Sequence, residues 1–292
     1  MIYLSIVSLI WAFSFGLIGN VLSGVDSFLV ATLRLGVASL LFIPFLRIKR
    51  IGLITFIRLL LYGAIQFGLM YACYMSAFRF IPSHLIAVFS ILTPVYVVLI
   101  HDLQKRVFSA KYLWIAVLSV LGAATIKAKT IPAGDIWMGF LLMQAAGVAF
   151  AFGQVAYRDW KIKNQDVSDL SIFALLTIGG TLCVGSFSLQ LSEWEISKIS
   201  TDQWKAILYL GLVASGLGFF LWNKGASRTN AGTLAAFNNA VVPLAVLSSL
   251  FIFNEGKNFD GEDQIRLMLG SGLIGSALFL SLKRNSSPFS QI

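Results

Sequence analysis

The chain has 292 residues, of which 58% are hydrophobic and only 12% are charged, and its mean hydropathy is +0.83. A soluble domain carries roughly 25% charged residues, so this composition excludes a water-soluble globular protein and predicts that lipid is the solvent. The net charge of +9 reflects an uneven distribution of basic residues among the loops and does not require a nucleic-acid partner.

Ten apolar stretches predict ten membrane-spanning helices, because a helix needs roughly 20 residues to cross a bilayer. In chain order they cover residues 2–22, 27–46, 57–78, 82–101, 112–128, 136–157, 169–190, 204–223, 230–253 and 265–282. The loops between them are short and leave no room for a separate soluble domain. The predicted fold class is therefore an all-α integral membrane protein.

The first two predicted helices carry an aromatic motif and a lone charge. Trp11 and Ser14 lie on the first helix, where the pentapeptide 12–16 recurs at 149–153 with four identities. Arg34 is the only charge near the middle of a predicted span, and no Asp or Glu lies deep in any span to pair with it. An unpaired arginine at this depth is costly. It is predicted either to bond backbone carbonyls or to contact the carboxylate of a substrate.

Polar side chains follow helical spacing on the third and sixth predicted helices. Gln66, Met70 and Tyr74 are spaced to share one face of the third helix, and Gln154 lies on a stripe of small and polar residues on the sixth. Asn223, near the end of the eighth helix, lies 149 residues after Tyr74. Each of these residues is predicted to line a cavity or to contact a neighbouring helix.

A motif at the start of the fourth helix recurs at the start of the ninth. Residues 77–94 and 226–243 share five identities at a constant offset of 149, and each copy ends in a proline, Pro94 or Pro243. A proline removes the hydrogen bond to the carbonyl four residues earlier, so each helix is predicted to break there. The break is predicted to be a substrate-facing hinge or a kink that serves packing.

The carbonyls predicted to be freed by the prolines belong to Ser90 and Asn239. Asn238 and Asn239 point about 100° apart on their helix, so one is predicted to face the cavity and the other to bond a neighbouring helix. Together these patterns predict a cavity of mixed amide and aromatic character. The predicted substrate-binding residues are Trp11, Ser14, Arg34, Gln66, Tyr74, Ser90, Gln154, Asn223, Asn238 and Asn239.

Motifs for other chemistry are missing from the sequence. His84 and His101 are not spaced as a pair of metal ligands, and no phosphate-binding glycine loop or nucleophile motif occurs. The sequence therefore predicts no catalytic residue, no metal and no cofactor. Small residues on the last helix, Ser271, Gly272 and Gly275, predict tight packing either within the chain or in a homodimer.

Two matching motifs in the same order predict an internal duplication, with a first repeat at residues 1–130 and a second at 131–292. Five helices per repeat is an odd number, so the second repeat is inverted relative to the first. Fourteen of the 22 basic residues lie on the side that holds both termini, against seven on the opposite side. The excess of basic residues predicts that both termini are cytoplasmic.

The ten spans, the Trp11–Phe15 start, Arg34 in the second helix and the prolines Pro94 and Pro243 resemble the EamA-type transporters of the drug/metabolite transporter superfamily. The resemblance covers nearly the whole chain. It implies a bacterial inner-membrane carrier that exports amino acids, related metabolites or drugs through a central cavity lined by the first four helices of each half. It also implies peripheral fifth and tenth helices and an acidic residue after the fourth and after the ninth helix. Glu255 fits the second position, whereas the first half departs, with Asp102 or Arg106 in that region.

These observations predict a secondary transporter that exports small organic metabolites such as amino acids by alternating access, with Pro94 and Pro243 as hinges. The alternatives are a multidrug carrier or a carrier of another metabolite, for example a nucleotide-like solute, with the same fold. An intramembrane enzyme would need convergent acids, histidines or a metal within the spans, which the sequence lacks. The predicted partners are a small-molecule substrate and the lipid bilayer, without nucleic acid.

Overall fold

Helices dominate the computed structural model, which describes residues 1–22, 24–48, 51–81, 83–127, 136–253 and 260–283. The ten long helices of this described part are α1 (Ile2–Val21), α2 (Ser27–Phe45), α3 (Leu53–Ala77), α4 (Leu85–Lys105), α5 (Ala110–Lys127), α6 (Trp137–Lys163), α7 (Phe173–Leu191), α8 (Thr201–Ala226), α9 (Ala231–Phe251) and α10 (Gly261–Leu282). All but α1 are long and apolar enough to cross a membrane by themselves, and α1 carries a shorter apolar stretch. The predicted all-α membrane fold is confirmed.

The outer surface of the bundle is apolar, and the polar side chains turn inward. Large side chains such as Ile54, Leu189 and Met268 are mostly exposed, whereas the amides of Gln66 and Gln154 are fully buried. This distribution is stable in lipid, where an exposed hydrocarbon side chain costs nothing and an unsatisfied polar group is expensive. The interior of the bundle is therefore the place to look for a functional site.

The helices of the first half pair with those of the second. Helix α2 packs on α7, α3 on α6 and α7, α1 on α9, and α5 on α10. A close approach joins α5 to α10, because a Cβ atom on Gly122 would lie 2.7 Å from the carbonyl oxygen of Gly270. Gly272 and Gly275 instead face open space. Of the two alternatives predicted for this helix surface, these two glycines therefore do not serve packing within the described part of the chain, and packing in a homodimer stays a prediction.

Three of the central helices depart from regular α geometry. Helix α3 contains a π-helical stretch at Ala64–Leu69, and α8 contains one at Leu210–Leu217. Adding the offset of 149 to the first stretch gives residues 213–218, so the two π-helices occupy matching places in the duplicated sequence. Helix α4 contains a 3₁₀ turn at Ser90–Leu92.

The two prolines of the duplicated motif act differently. Pro94 follows the 3₁₀ turn of α4 and lies at the start of the α-helical segment Thr93–Lys105, a position that tolerates proline. Pro243 lies inside α9, which continues as an α-helix on both sides of it. The prediction of a break in both helices is therefore wrong for α9, which loses one hydrogen bond and keeps its geometry.

Candidate functional site

The π-helix of α8 presents polar groups to the centre of the bundle. A π-helical turn pairs residues five apart, so it displaces the backbone groups of its neighbours and occurs often at functional sites. Gly211 within it lets α2 approach closely, because a Cβ atom there would lie 2.7 Å from the Cβ of Val37. Two side chains of the first half reach this turn, one at the carbonyl of Ala214 and one at the hydroxyl of Ser215.

Trp11 of α1 makes the first of these contacts. Its indole Nε1 donates a hydrogen bond to the Ala214 carbonyl oxygen at 3.0 Å. Its rings pack against Phe150, Phe219 and Trp222, with 4.8 Å between the ring centroids of Trp11 and Trp222. Aromatic faces from α1, α6 and α8 thus form one cluster, which we call the aromatic box and define by Trp11, Phe150, Phe219 and Trp222.

Arg34 of α2 makes the second contact. Its side chain is buried, its Nε donates to the Ser215 hydroxyl at 3.2 Å, and its guanidinium lies over the ring of Tyr71 at 5.5 Å. No carboxylate lies within ion-pair distance of Arg34 in the described part of the chain. Tyr74 is close enough to interact electrostatically with Arg34 and Tyr71. The Arg34 guanidinium is therefore a buried positive charge without a fixed counter-ion among these residues.

A reciprocal amide pair joins the two π-containing helices. The Gln66 Nε2 donates to the Asn223 Oδ1 at 2.8 Å, and the Asn223 Nδ2 donates back to the Gln66 Oε1 at 3.2 Å. Both side chains are fully buried. Gly153 of α6 makes room for the pair, since a Cβ atom there would lie 2.1 Å from the Cβ of Gln66. Each amide fixes the orientation of the other.

A second set of amide side chains, those of Gln154 and Asn238, lies beside the aromatic box. The Trp222 Nε1 donates to the Gln154 Oε1 at 3.0 Å. The Asn238 Nδ2 donates to the same oxygen at 3.3 Å and to the Leu234 carbonyl at 2.9 Å. The Asn238 side chain is only partly buried. Donors and acceptors are thus presented next to an aromatic surface.

The next residue, Asn239, turns toward α4. Its Nδ2 donates to the carbonyl oxygen of Ile91 at 3.0 Å, inside the 3₁₀ turn. The Ser90 carbonyl, which the sequence predicts to be free, accepts a bond from the Thr93 hydroxyl at 2.8 Å. The prediction is therefore wrong for Ser90, because Thr93 replaces the donor that Pro94 removes. Asn239 thus bonds a neighbouring helix, while the prediction that Asn238 faces a cavity stays a prediction.

Of the remaining predicted site residues, Ser14 and Ser90 bond within their own helices, whereas Tyr74 lies near Arg34. The Ser14 hydroxyl bonds the Ile10 carbonyl of its own helix, and the exposed Ser90 hydroxyl bonds the Ala87 carbonyl. Tyr74 packs edge-to-face on Phe78, and its hydroxyl has no hydrogen-bond partner among the described residues. Glu255 lies outside the described residues. These positions leave Arg34 and Tyr74 as the polar groups with spare hydrogen-bonding capacity.

Several central residues were not predicted from the sequence: Tyr71, Phe150, Ser215, Phe219 and Trp222. One signal pointed to Ser215, which lies 149 residues after Gln66 and so holds the matching position in the duplicated sequence. The aromatic residues gave no comparable signal, because Phe is frequent throughout the chain. No cluster of potential metal ligands occurs among the residues with described positions.

Comparison with known proteins gives a family, named relatives and a fold. The profile of the EamA-like transporter family matches residues 1–127 and 134–282. A protein of Pseudomonas aeruginosa described as a probable biotin transporter is 36% identical over 281 residues, which cover 96% of each chain. Proteins of Salmonella typhimurium and Escherichia coli K12 described as biotin transporters are each 35% identical over 257 residues, covering 87% of this chain and 85% of theirs.

A solved crystal structure supports the fold separately. It superposes with a TM-score of 0.75, covers 97% of this chain and 98% of its own, and is 18% identical in sequence. At this identity the likeness bears on the fold alone.

Proposed function

The chain belongs to the EamA-like transporter family, and from this premise we propose that it carries biotin, or a molecule with the same functional groups, across the membrane. The coarser statement is already established: the chain is a multi-pass membrane transporter of a small molecule and not an enzyme. The choice of biotin combines the relatives' described substrate with the chemistry of the central residues.

Biotin has three parts that need different surroundings. Its valerate chain ends in a carboxylate, its ureido ring offers two N–H donors and a carbonyl acceptor, and its sulfur-containing ring is apolar. A binding site for such a molecule combines an apolar wall with a few polar groups in fixed positions. The centre of this bundle offers groups suited to each part.

Arg34 is the observation that carries the proposal. A buried guanidinium is stable in a membrane when water, backbone carbonyls or an anion offset its charge. The described residues supply a hydroxyl and an aromatic face to Arg34 and no carboxylate. A substrate carboxylate fits this position, because arginine pairs with carboxylates through two parallel hydrogen bonds. The hydroxyl of Tyr74 would add a third donor.

The aromatic box and the amides beside it suit the other two parts. The rings of Trp11 and Trp222 can cover an apolar ring, as aromatic walls do in many ligand sites. The amides of Gln154 and Asn238 form long mutual hydrogen bonds of 3.3 to 3.4 Å, which leaves them able to rearrange toward a ureido group. Gln66 and Asn223 would support the site, because they bond each other tightly.

The transport cycle follows from the duplicated architecture. We infer repeats at residues 1–130 and 131–292, and the matching π-helices and the two family matches support that division. Inverted repeats give two exchangeable conformations around a site near the membrane centre. The relatives support an inner-membrane location, and the excess of basic residues supports cytoplasmic termini. Export and amino-acid substrates stay predictions from the sequence.

Binding measurements on three ligands test the proposal. Wild-type protein in detergent should bind biotin more tightly than biotinamide, which lacks the carboxylate, while free amino acids should bind weakly. Arg34→Gln should weaken biotin binding by about 10- to 100-fold, since hydrogen bonds to charged groups contribute about 1.5–3 kcal/mol. The same variant should leave biotinamide binding nearly unchanged.

Two control variants keep the experiment interpretable. Arg58→Gln removes an exposed arginine of α3 and should leave all affinities as they are. Arg34→Lys keeps the charge and should retain part of the preference for biotin, even if Arg34→Gln fails to fold. Folded wild-type protein that binds no biotin in equilibrium dialysis, and gives no biotin flux in proteoliposomes, would refute the proposal.

A further inference from the structure

A cleft opens at the end of the bundle that holds both termini. It encloses about 490 Å³ where the start of α1, the end of α6, the α8–α9 loop and the end of α10 meet. Its lining includes Arg158, Arg228, Asn230, Thr233 and Leu282. This cleft is separate from the aromatic box and takes no part in the proposed transport site.

The charges around the cleft are predominantly positive. Arg228 lies over the ring of Tyr3 at 5.3 Å and donates to its hydroxyl at 3.2 Å. Lys224 lies against the same ring, with its Nζ 5.3 Å from the centroid. Neither cation has a carboxylate partner in the part of the chain that the structure describes. Both keep the capacity to bind an anion.

Asp159, the residue after Arg158 of the cleft lining, is already shared by two cations. The carboxylate of Asp159 forms ion pairs with the Arg158 guanidinium, at 2.8 Å between N and O, and with the Lys105 ammonium, at 3.0 Å. Arg158 also donates through its Nε to the Thr229 carbonyl, which fixes it at the mouth of the α8–α9 loop. Helix α9 begins at this loop, so its positive end adds to the field. The surroundings of Arg228 therefore keep an uncompensated positive potential.

The rim of the cleft is apolar and faces the surroundings of the bundle. Met1 and Leu282 line it, and these residues are 42% and 51% exposed. An anion site for a soluble ligand would not need such a rim. A phospholipid does, because its phosphate lies at the helix ends while its acyl chains continue along the apolar surface. Basic pockets between transmembrane helices are known to bind anionic headgroups.

We propose that this cleft binds the phosphate headgroup of an anionic phospholipid, with Arg228 of the lining as its main ligand and Lys224, which lies over the same Tyr3 ring, adding positive charge beside it. If both termini are cytoplasmic, the lipid belongs to the inner leaflet. Arg228, the second copy of the arginine in the duplicated motif, would then bind a membrane lipid and not the transported solute. Its counterpart, Arg79, donates to the Leu191 carbonyl and lies over the ring of Phe28 at the opposite end.

Native mass spectrometry of delipidated full-length protein tests the proposal. The probes are phosphatidylglycerol and phosphatidylcholine, titrated separately and in competition. Each cation near an anionic headgroup strengthens binding by about fivefold. Phosphatidylglycerol should therefore bind about tenfold or more tightly than phosphatidylcholine at one site, and Arg228→Gln should remove most of that preference. Equal binding of the two lipids would overturn the proposal.

Matched variants and a soluble probe decide the remaining outcomes. Arg58→Gln, an exposed arginine at the same end but outside the cleft, should keep the preference. Lys224→Gln should reduce it, which provides a second variant if Arg228→Gln fails to fold. Inorganic phosphate or glycerol phosphate that competes with the lipid at equal concentration would reassign the cleft to a soluble anion. If Arg228→Gln and Lys224→Gln both keep the lipid preference, the proposal of a lipid site is refuted.

Discussion

Buried polar groups in the core are hydrogen-bonded to one another, and these pairs determine how much stability a substitution removes. Gln66 pairs with Asn223, and Asn239 satisfies the Ile91 carbonyl in the 3₁₀ turn of α4. Only the Ser248 hydroxyl lacks a partner among the buried side-chain atoms of the described residues. Removing one member of such a pair leaves the other buried and unsatisfied, which costs about 1–3 kcal/mol. Residues at the centre thus affect stability as well as binding.

Asn239→Ala should lower the unfolding free energy by about 1–3 kcal/mol, because it leaves the Ile91 carbonyl without its donor. It should also abolish the rise in melting temperature caused by biotin, since the break in α4 loses its anchor. Cys183→Ala, on the half-buried thiol that packs against Gly68, is the control and should keep the biotin response. Thermal unfolding in detergent, with and without biotin, measures both effects. Equal biotin responses in the two variants would contradict the role given to Asn239.

Whole helices approach one another at glycines that face across the two halves. A Cβ atom on Gly63 of α3 would lie 1.9 Å from the Leu176 carbonyl oxygen of α7, and one on Gly179 of α7 would lie 2.0 Å from the Leu60 carbonyl oxygen. Small residues let helix backbones pack closely in lipid, where van der Waals contact drives association. The position of α3, with its π-helix and Gln66, depends on this contact.

Gly63→Ala should destabilise the protein by about 1–3 kcal/mol or more, since the added methyl group overpacks a backbone contact. Gly275→Ala places the same methyl group in open space and should be neutral or stabilising by up to about 1 kcal/mol, because alanine favours helix. The two melting temperatures, measured in the same detergent, give the comparison. Similar losses in both variants would show that the α3–α7 contact is looser than described.

The two prolines should differ in their effect on transport. Pro94 follows the 3₁₀ turn of α4, so Pro94→Ala allows a regular helix to form through Ser90–Leu92 and should slow transport without lowering stability. Pro243→Ala, inside the continuous α9, should change the rate less. Initial rates in proteoliposomes, normalised to folded protein, measure the difference. A larger loss in Pro243→Ala would place the moving joint in α9 instead.

The whole molecule is a bundle in which helices of the two halves alternate. Its basic residues are concentrated at one end. Most helices pack on a partner from the other half, so neither half buries its surface alone. The end that holds both termini carries most of the basic residues, including Lys105, Arg158 and Arg228. Basic loops remain on the cytoplasmic side during insertion. This asymmetry predicts that both termini are cytoplasmic.

Cysteine labelling in intact cells should reveal this orientation. In a background with Cys73→Ala and Cys183→Ala, Glu193→Cys lies at the exposed start of the α7–α8 loop and should react with an impermeant maleimide from outside. Gln165→Cys lies in the exposed α6–α7 loop at the opposite end and should react only after permeabilisation. The reverse pattern would place both termini outside the cytoplasm.

The sequence by itself determined the ten helices, their order and the isolation of Arg34. Hydropathy over roughly 20 residues is a local property, and the lack of acidic residues within the spans can be read without knowing any contact. The duplicated motif also marked the region of Asn239 and Pro94. These features depend on residue type and spacing along one segment.

Only the tertiary structure decided which groups meet. Gln66 and Asn223 are 157 residues apart, and Arg34 reaches Ser215 across 181 residues. The π-helix of α3 rotates the faces of the turns that follow it, and Tyr71, which the sequence did not single out, lies against Arg34. Helix position and local pitch depend on packing between segments distant in sequence, and a one-residue change in pitch redirects every side chain after it.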